Sequence, residues 1–175
     1  MPLIAKAAGL MLTAGGLGAV GWMRASALAG RCRDLDQLRR ALVILRAAVA
    51  HARLPAAQAL ARAARAGRGP VAAACALAAG SLDAGAPRSA GEAWLAAFEA
   101  VRERLCLLPE DMELVREFCV DFGRLDAPAQ LARIGDALAR VEVALEQASR
   151  ERERLERLYR FSGLAAGLAV GFILL

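Results

Sequence analysis

The chain has 175 residues, and aromatic residues make up only 5% of it. Its length permits one domain, or one modest domain with anchors, and the dominance of Ala, Leu and Arg favours helices over strands. The formal charge is +5, but 18 acidic residues are interleaved with 23 basic ones. This pattern is typical of a solvated, salt-bridged surface and excludes a dedicated nucleic-acid-binding face.

The first predicted element is an apolar helix near the N-terminus. No charged residue occurs from Ala7 to Met23, and Lys6 and Arg24 bracket this run. At about 1.5 Å per residue, a helix of this length covers about 26 Å, close to the thickness of a hydrocarbon core. A transmembrane anchor over residues 1–30 is therefore predicted. A cleaved signal peptide stays open as the alternative, because Ala25-Ser26-Ala27 and Ala27-Leu28-Ala29 both resemble cleavage sites.

The central segment predicts amphipathic helices separated by Pro and Gly. The first carries an apolar stripe at spacings of three and four residues, which predicts one buried face; its members are Leu35, Leu38, Leu42, Leu45 and Val49. A second helix is predicted to begin at Leu54-Pro55, because proline ends one helix and suits the first turn of the next. Gly69-Pro70 predicts the start of a third in the same way. The longest loop signal, from Gly80 to Gly91, divides the helices into halves of about 31–80 and 90–158.

The second half predicts three more helices. The fourth places an apolar side inward, which comprises Trp94, Phe98, Val101, Leu105 and Leu108. Pro109 opens the fifth, whose predicted inner face comprises Val115, Phe118, Phe122 and Leu125. A long sixth helix follows Pro128 with heptad-like apolar spacing, and no stop signal interrupts it before the chain end.

Two charged surfaces are candidate docking sites for a protein partner. The acidic group Glu110, Asp111 and Glu113 lies in the first turn of the fifth helix, where capping also explains it. The other candidates are Arg150, Arg154 and Arg157 on the sixth helix. Both groups are equally typical of a solvated surface.

The last element is a second apolar run, uncharged from Phe161 to Leu175. It is short for a membrane span, but Tyr159 and Arg160 can extend it by snorkelling to the interface. We predict a transmembrane helix over residues 159–175. Its glycines repeat every fourth residue and form one helix-packing stripe; they are Gly163, Gly167 and Gly171.

The distribution of charge predicts the orientation in the membrane. Every arginine lies between the two apolar runs, whereas only Lys6 lies outside them. The positive-inside rule therefore places the domain over residues 31–158 in the cytoplasm. The predicted fold class is all-α: a six-helix cytoplasmic domain of two three-helix halves, flanked by transmembrane helices.

Residues that could carry catalysis or hold a metal are sparse. The cysteines Cys32, Cys75, Cys106 and Cys119 show no CxxC spacing, and His51 is the sole histidine. A zinc site needs about four clustered nitrogen or sulfur ligands, and reduced cytosolic thiols are the expected state. With no nucleophile beside a base and no phosphate-binding loop, we expect no enzyme activity and no cofactor.

The order and spacing of several motifs resemble the stage III sporulation protein AB family over nearly the whole chain. The motifs on which this resemblance rests are Leu35-x-x-Leu38 with Leu54-Pro55, Glu92-Ala93-Trp94, Leu114-x-x-x-Phe118 with Phe122-Gly123, and Tyr159-Arg160 before Gly163-x-x-x-Gly167. Cys119 stands where a glycine is typical of the family, and Ala47, Ala48 and Ala50 stand where an acidic residue is typical.

The resemblance implies a fold and a role that the residues alone do not. The family is similar to the cytoplasmic domain of F-type inner-membrane proteins of type II secretion and type IV pili. It implies a non-enzymatic component of the sporulation channel complex between mother cell and forespore. The expected partners are the ATPase known as stage III sporulation protein AA, other membrane subunits of the complex, the lipid bilayer and a possible second copy. An exported envelope protein, made by signal cleavage and held by its C-terminal run, is the alternative.

Overall fold

The structure is a computed structural model that describes the backbone of residues 2–52, 54–85 and 89–174 and the side chains of residues 25–51, 54–85, 89–155 and 158. In chain order its helices are α1 (Pro2–Ala47), α2 (Ala56–Ala66), α3 (Gly69–Asp83), α4 (Ala90–Ala100), α5 (Pro109–Asp121) and α6 (Ala127–Leu174). A π-helical segment (Ala48–Ala52) follows α1, and a 3-10 turn (Arg102–Arg104) follows α4. No strand occurs in the described backbone, and the prediction of an all-helical chain is confirmed there.

The two predicted membrane spans are not confirmed. Among the residues that the structure describes, no helix is long and apolar enough to cross a membrane. The side chains of the apolar runs 7–23 and 161–175 lie outside the described residues. The same applies to the glycine stripe of Gly163, Gly167 and Gly171, so the spans and their packing face stay predictions.

The chain divides into two compact units, Gly30–Ala148 and Met1–Ala29 with Ser149–Leu175. The first unit contains a continuous hydrophobic core to which helices on both sides of the 84–89 loop contribute. The predicted domain over residues 31–158, with halves at about 31–80 and 90–158, stays a prediction.

The apolar stripe of α1 forms one wall of this core, as its periodicity predicts. Leu35, Leu38, Leu42 and Leu45 are all at most 2% exposed. Opposite helices supply an aromatic cluster in which Trp94 lies 5.5–5.6 Å, between ring centroids, from Phe98, Phe118 and Phe122. Each such contact adds about 0.5–1.5 kcal/mol beyond the burial of apolar area.

The helix α4 ends earlier than the sequence predicts. Its last residue is Ala100; the 3-10 turn Arg102–Arg104 follows, and Leu105 is extended. Leu108, which was predicted to face inward on this helix, is 40% exposed. The backbone of Leu108 is extended, with a ψ of 163°, as is typical of the residue before a proline.

Two further boundaries differ from the predictions. The loop predicted from Gly80 to Gly91 is shorter, since α3 continues to Asp83 and α4 begins at Ala90. Ser89 starts α4 with a capping box: its hydroxyl accepts the Glu92 N–H while the Glu92 carboxylate accepts the Ser89 N–H. Leu125, predicted to lie inside, is 38% exposed, because α5 has already ended at Asp121.

The helices α4 and α5 approach each other backbone to backbone at Gly91. The Gly91 N–H donates to the Phe122 carbonyl at 3.1 Å, and a Cβ added at Gly91 would lie 1.7 Å from the Cys119 carbonyl oxygen. Gly123 then adopts a φ of +84°, a conformation that glycine takes without steric cost. These contacts hold the aromatic cluster of α4 against that of α5.

Candidate interaction site

The start of α5 is built around Asp111. Pro109 occupies the first turn, where its missing N–H costs nothing. The Asp111 carboxylate reaches back and accepts the Leu108 N–H through Oδ2 at 2.9 Å. This hydrogen bond satisfies a donor that the helix itself leaves unpaired, and Asp111 is only 2% exposed.

Arg31 of α1 neutralises this buried carboxylate. Its Nε donates to Asp111 Oδ2 at 2.8 Å and its Nη2 donates to Asp111 Oδ1 at 2.9 Å. Arg31 is itself 4% exposed. A planar guanidinium matches a carboxylate in this bidentate geometry, which fixes orientation as well as charge. The pair therefore locks α1 to the beginning of α5.

The same turns of α1 hold the segment before α5. Asp34 Oδ2 accepts the Cys106 N–H at 2.8 Å, and Gly30 lies so close that an added Cβ would be 2.4 Å from Cys106 Sγ. Burial raises the pKa of Asp34, while the Cys106 hydrogen bond and the Arg33 charge oppose that rise. We call Arg31, Asp34, Asp111 and the Cys106 backbone the α1–α5 clamp.

A surface cleft opens beside the clamp, within the unit of residues 30–148. Its volume is about 390 Å³. It is lined by Arg31, Glu110, Asp111, Leu114, Ala139, Arg140, Val143, Ala144 and Gln147. We call it the α1/α5/α6 cleft after the helices that supply these residues.

The cleft combines an apolar floor with charged margins. Val143 is 55% exposed although it is a large apolar side chain. Glu110 has a side chain that is 70% exposed, and its Oε1 accepts from Arg31 Nη2 at 3.1 Å. Arg140 pairs with Glu117, and this hydrogen bond raises the pKa of Arg140 and lowers that of Glu117. Exposed charges of both signs thus lie beside an exposed apolar side chain.

The structure separates the acidic residues that the sequence grouped. Glu110 lies at the cleft margin, whereas Asp111 is buried in the clamp and is not offered to a partner. Glu113 is exposed and pairs with Arg116 at 2.5 Å. Docking through the start of α5 thus stays a prediction for Glu110 and Glu113.

The basic candidates lie in the other unit. Arg150 and Arg154 are exposed on α6, and the Arg157 side chain lies outside the described residues. Their role in docking also stays a prediction.

The described side chains show no group of histidine, cysteine and carboxylate residues that could hold a metal ion. Cys75 and Cys119 are buried, and desolvation raises the pKa of both thiols to about 12. A thiol with so high a pKa is a poor nucleophile at neutral pH. These two cysteines belong to the core.

The sequence analysis missed Arg31, Arg140 and Val143 as site residues. A signal for Arg31 existed: residues 31, 35, 38 and 42 share one helical stripe, so an arginine there extends an apolar face and implies a buried partner. Val143 and Arg140 gave no comparable signal, because exposed residues of both types are common on helices.

Comparisons with known proteins agree with one another. The family model described as stage III sporulation protein AB matches residues 6–175. A solved structure of a stage III sporulation protein AB aligns with a TM-score of 0.66 and 27% sequence identity, covering 71% of this chain and 98% of its own. No curated protein sequence matches the chain.

Proposed function

Since the chain belongs to the stage III sporulation protein AB family, we propose that it is a non-enzymatic membrane component of the channel complex between mother cell and forespore. In this proposal the helical unit of residues 30–148 is a platform that binds the cytoplasmic ATPase of the complex. The observation that carries the proposal is the family match, which covers residues 6–175 and so includes both apolar runs as well as the helical unit.

The proposed arrangement in the membrane rests on the sequence. The runs 7–23 and 161–175 are uncharged, and all arginines lie between them. By the positive-inside rule the helical unit then faces the cytoplasm of the mother cell, where an ATPase can reach it. The glycine stripe of the second run supplies a face for packing against another membrane helix.

The geometry of residues 30–148 supports a platform role. The α1–α5 clamp ties α1 to the segment that leads into α5 with charged hydrogen bonds, which are among the stronger ones in proteins. A docking surface built on such a rigid frame loses little conformational entropy on binding. The cleft beside the clamp presents apolar and charged groups together.

Co-purification tests the platform directly. The full-length chain and the ATPase are co-expressed, membranes are solubilised in mild detergent, and the tagged chain is captured. We expect the ATPase to be retained through washes, and to be absent when an unrelated tagged membrane protein of two spans replaces the chain. Failure to retain it, with both proteins folded and abundant, would contradict the proposal.

Protease accessibility tests the orientation and separates the alternative of an exported protein. Protease is added to intact spheroplasts and, in parallel, to permeabilised ones. We expect residues 30–148 to be digested only after permeabilisation, with a cytoplasmic protein as control. Digestion in intact spheroplasts, together with loss of the first 27–29 residues from the mature chain, would favour the exported form.

A further inference from the structure

We propose that copies of this chain associate head to tail, a basic face on α1 and α2 of one copy against an acidic face on α5 and α6 of the next. What we call the α1–α2 basic face consists of Arg40, Arg62, Arg65 and Arg68. What we call the α5–α6 acidic face consists of Glu117, Asp121, Asp136 and Glu142. Both faces lie within the unit of residues 30–148. The inference goes beyond the proposed function, because the ATPase takes no part in it.

Charge is segregated along the chain of this unit. Residues 37–82 contain seven arginines and neither Asp nor Glu. Residues 83–148 contain thirteen acidic residues against seven arginines. Among the described side chains, no ion pair joins one segment to the other. The two opposite excesses are therefore not cancelled within one copy.

The arginines of the α1–α2 basic face lie on neighbouring turns of the two helices. Arg62 and Arg65 are three residues apart on α2, so they share one side of it, and both are exposed. The Arg68 N–H donates to Gln37 Oε1 at 3.1 Å. This hydrogen bond places the end of α2 beside α1, one turn before the exposed Arg40.

The positive charge of this face is not neutralised locally. Asp36, on the same turns of α1, is already shared by two guanidinium groups: Arg39 at 3.1 Å and Arg40 at 2.8 Å. The three arginines at and after α2 form no ion pair with any side chain that the structure describes; they are Arg62, Arg65 and Arg68. Five guanidinium groups thus accompany one carboxylate.

The α5–α6 acidic face begins with two ion pairs between neighbouring helices. Glu117 of α5 pairs with Arg140 of α6. Asp121 of α5 pairs with Arg133 of α6, with Nη2 and Oδ2 3.3 Å apart. Each arginine of this face is therefore already engaged by a carboxylate of α5.

Two further carboxylates of α6 leave the face negative. Asp136 lines the same small depression as Glu117 and Arg140, and Glu142 follows Arg140 by two residues. Asp136 and Glu142 are both exposed, and neither forms an ion pair with a described side chain. Four carboxylates therefore accompany two guanidinium groups, which leaves two negative charges in excess.

A second copy of the chain is the occupant that both faces fit. Each copy carries the two opposite excesses on different helices, so the basic face of one complements the acidic face of another, while contacts between like faces are repelled. Because the two faces differ, the contact is heterologous and repeats from copy to copy into a ring or a row. Ion pairs between exposed side chains are individually weak and are screened by salt. The association is therefore expected to depend on ionic strength.

Charge reversal of each face, followed by mixing, tests the pairing. The purified full-length chain in a non-ionic detergent is used, and sedimentation measures its self-association at about 50 mM and about 500 mM salt. One variant carries Arg62→Glu with Arg65→Glu, and the other carries Asp136→Arg with Glu142→Arg. Each reversed variant then has two faces of one sign, so only the mixture of both variants can form the proposed contact. Thermal unfolding of each variant reports whether it is folded.

Single reversals have matched controls outside both faces. Arg65→Glu is compared with Arg104→Glu, and Glu142→Arg is compared with Glu103→Arg. Both control residues are exposed and lie on the 3-10 turn Arg102–Arg104. Each control changes the net charge of the chain by the same amount as its test variant, so a general effect of charge moves both equally.

At the lower salt concentration we expect each double reversal to weaken self-association at least tenfold, and the mixture to return within about threefold of wild type. We expect the controls to stay within about twofold of wild type and the higher salt concentration to dissociate it. The inference is overturned if wild type stays monomeric at low salt, if the reversals leave its association unchanged, or if the mixture does not restore it. It is also overturned if Arg62→Glu with Arg65→Glu spares self-association and instead abolishes binding to phosphatidylglycerol vesicles, since the basic face then contacts lipid.

Discussion

Arg31 and Asp111 are 80 residues apart in the chain and form a bidentate ion pair that is almost completely withdrawn from solvent. Burying two charges is costly, so such a pair gives limited net stability. Its main effect is to define one position for the start of α5 against α1. The α1/α5/α6 cleft opens beside this fixed point.

Removal of one partner of this pair is predicted to destabilise the chain strongly. Asp111→Asn removes the buried, bidentate counter-charge of the Arg31 guanidinium, and we expect a loss of about 3–5 kcal/mol in the free energy of unfolding. Chemical unfolding of the chain in detergent, followed by circular dichroism, measures it. Glu110→Gln is the control, because a largely exposed ion pair contributes about 0–1 kcal/mol. Equal small effects of both substitutions would contradict the assigned geometry.

Two glycines on different helices are predicted to respond to alanine with opposite signs. At Gly91 the added Cβ collides with the Cys119 carbonyl, so Gly91→Ala separates α4 from α5 and costs about 2–3 kcal/mol. At Gly80, within α3, nothing lies within 4 Å of the added Cβ, so Gly80→Ala stabilises by about 0.5–1 kcal/mol. Thermal unfolding distinguishes the two, and a stabilising Gly91→Ala would show that the helices are not in backbone contact.

The buried carboxyl of Asp34 predicts a pH dependence. Because burial raises its pKa in the folded state, the native chain holds the Asp34 proton more tightly than the unfolded chain does. Lowering the pH through the folded-state pKa towards the ordinary value of 3.8 therefore stabilises wild type through this group. Asp34→Asn lacks the effect, so the stability of wild type relative to this variant should increase as the pH falls.

Unfolding of wild type and Asp34→Asn at several pH values between 7 and 4 measures that difference. Asp36→Asn, at a half-buried residue that pairs with Arg40 at 2.8 Å, controls for general acid effects. If the stability of wild type relative to Asp34→Asn instead falls on acidification, the Asp34 pKa is lowered in the folded chain, not raised.

The cysteines are predicted to differ in reactivity. Cys75 and Cys119 are buried, with their thiol pKa raised to about 12, whereas Cys106 is exposed. Brief treatment with iodoacetamide at pH 8 should modify Cys106 and spare the two buried thiols. Peptide mass spectrometry of native and denatured samples measures this contrast, and equal modification of all three in the native chain would contradict the core packing.

Periodicity was sufficient to predict the core because burial repeats along single helices. Leu35, Leu38, Leu42 and Leu45 follow one stripe, and all four are buried. The same reasoning misplaced Leu108, because α4 has already ended at Ala100 and Leu108 is extended before Pro109.

The cleft could not be predicted from the sequence in the same way. It combines Arg31 of α1, Glu110 of α5 and Val143 of α6, which become neighbours only through tertiary packing. The acidic group at the start of α5 was recognised, but its two functions were not separable: Asp111 caps the helix and pairs with Arg31, whereas Glu110 remains accessible. The burial of each side chain distinguishes Asp111 from Glu110, and the spacing of residues in the sequence does not encode that burial.

Membrane flotation tests the central claim of a membrane-bound platform for the ATPase most directly. Membranes from cells that produce the ATPase with or without the full-length chain are floated through a density gradient. The account predicts that the ATPase floats with the membranes only when the chain is present. Equal flotation of the ATPase with and without the chain, or none in either case, would contradict the account.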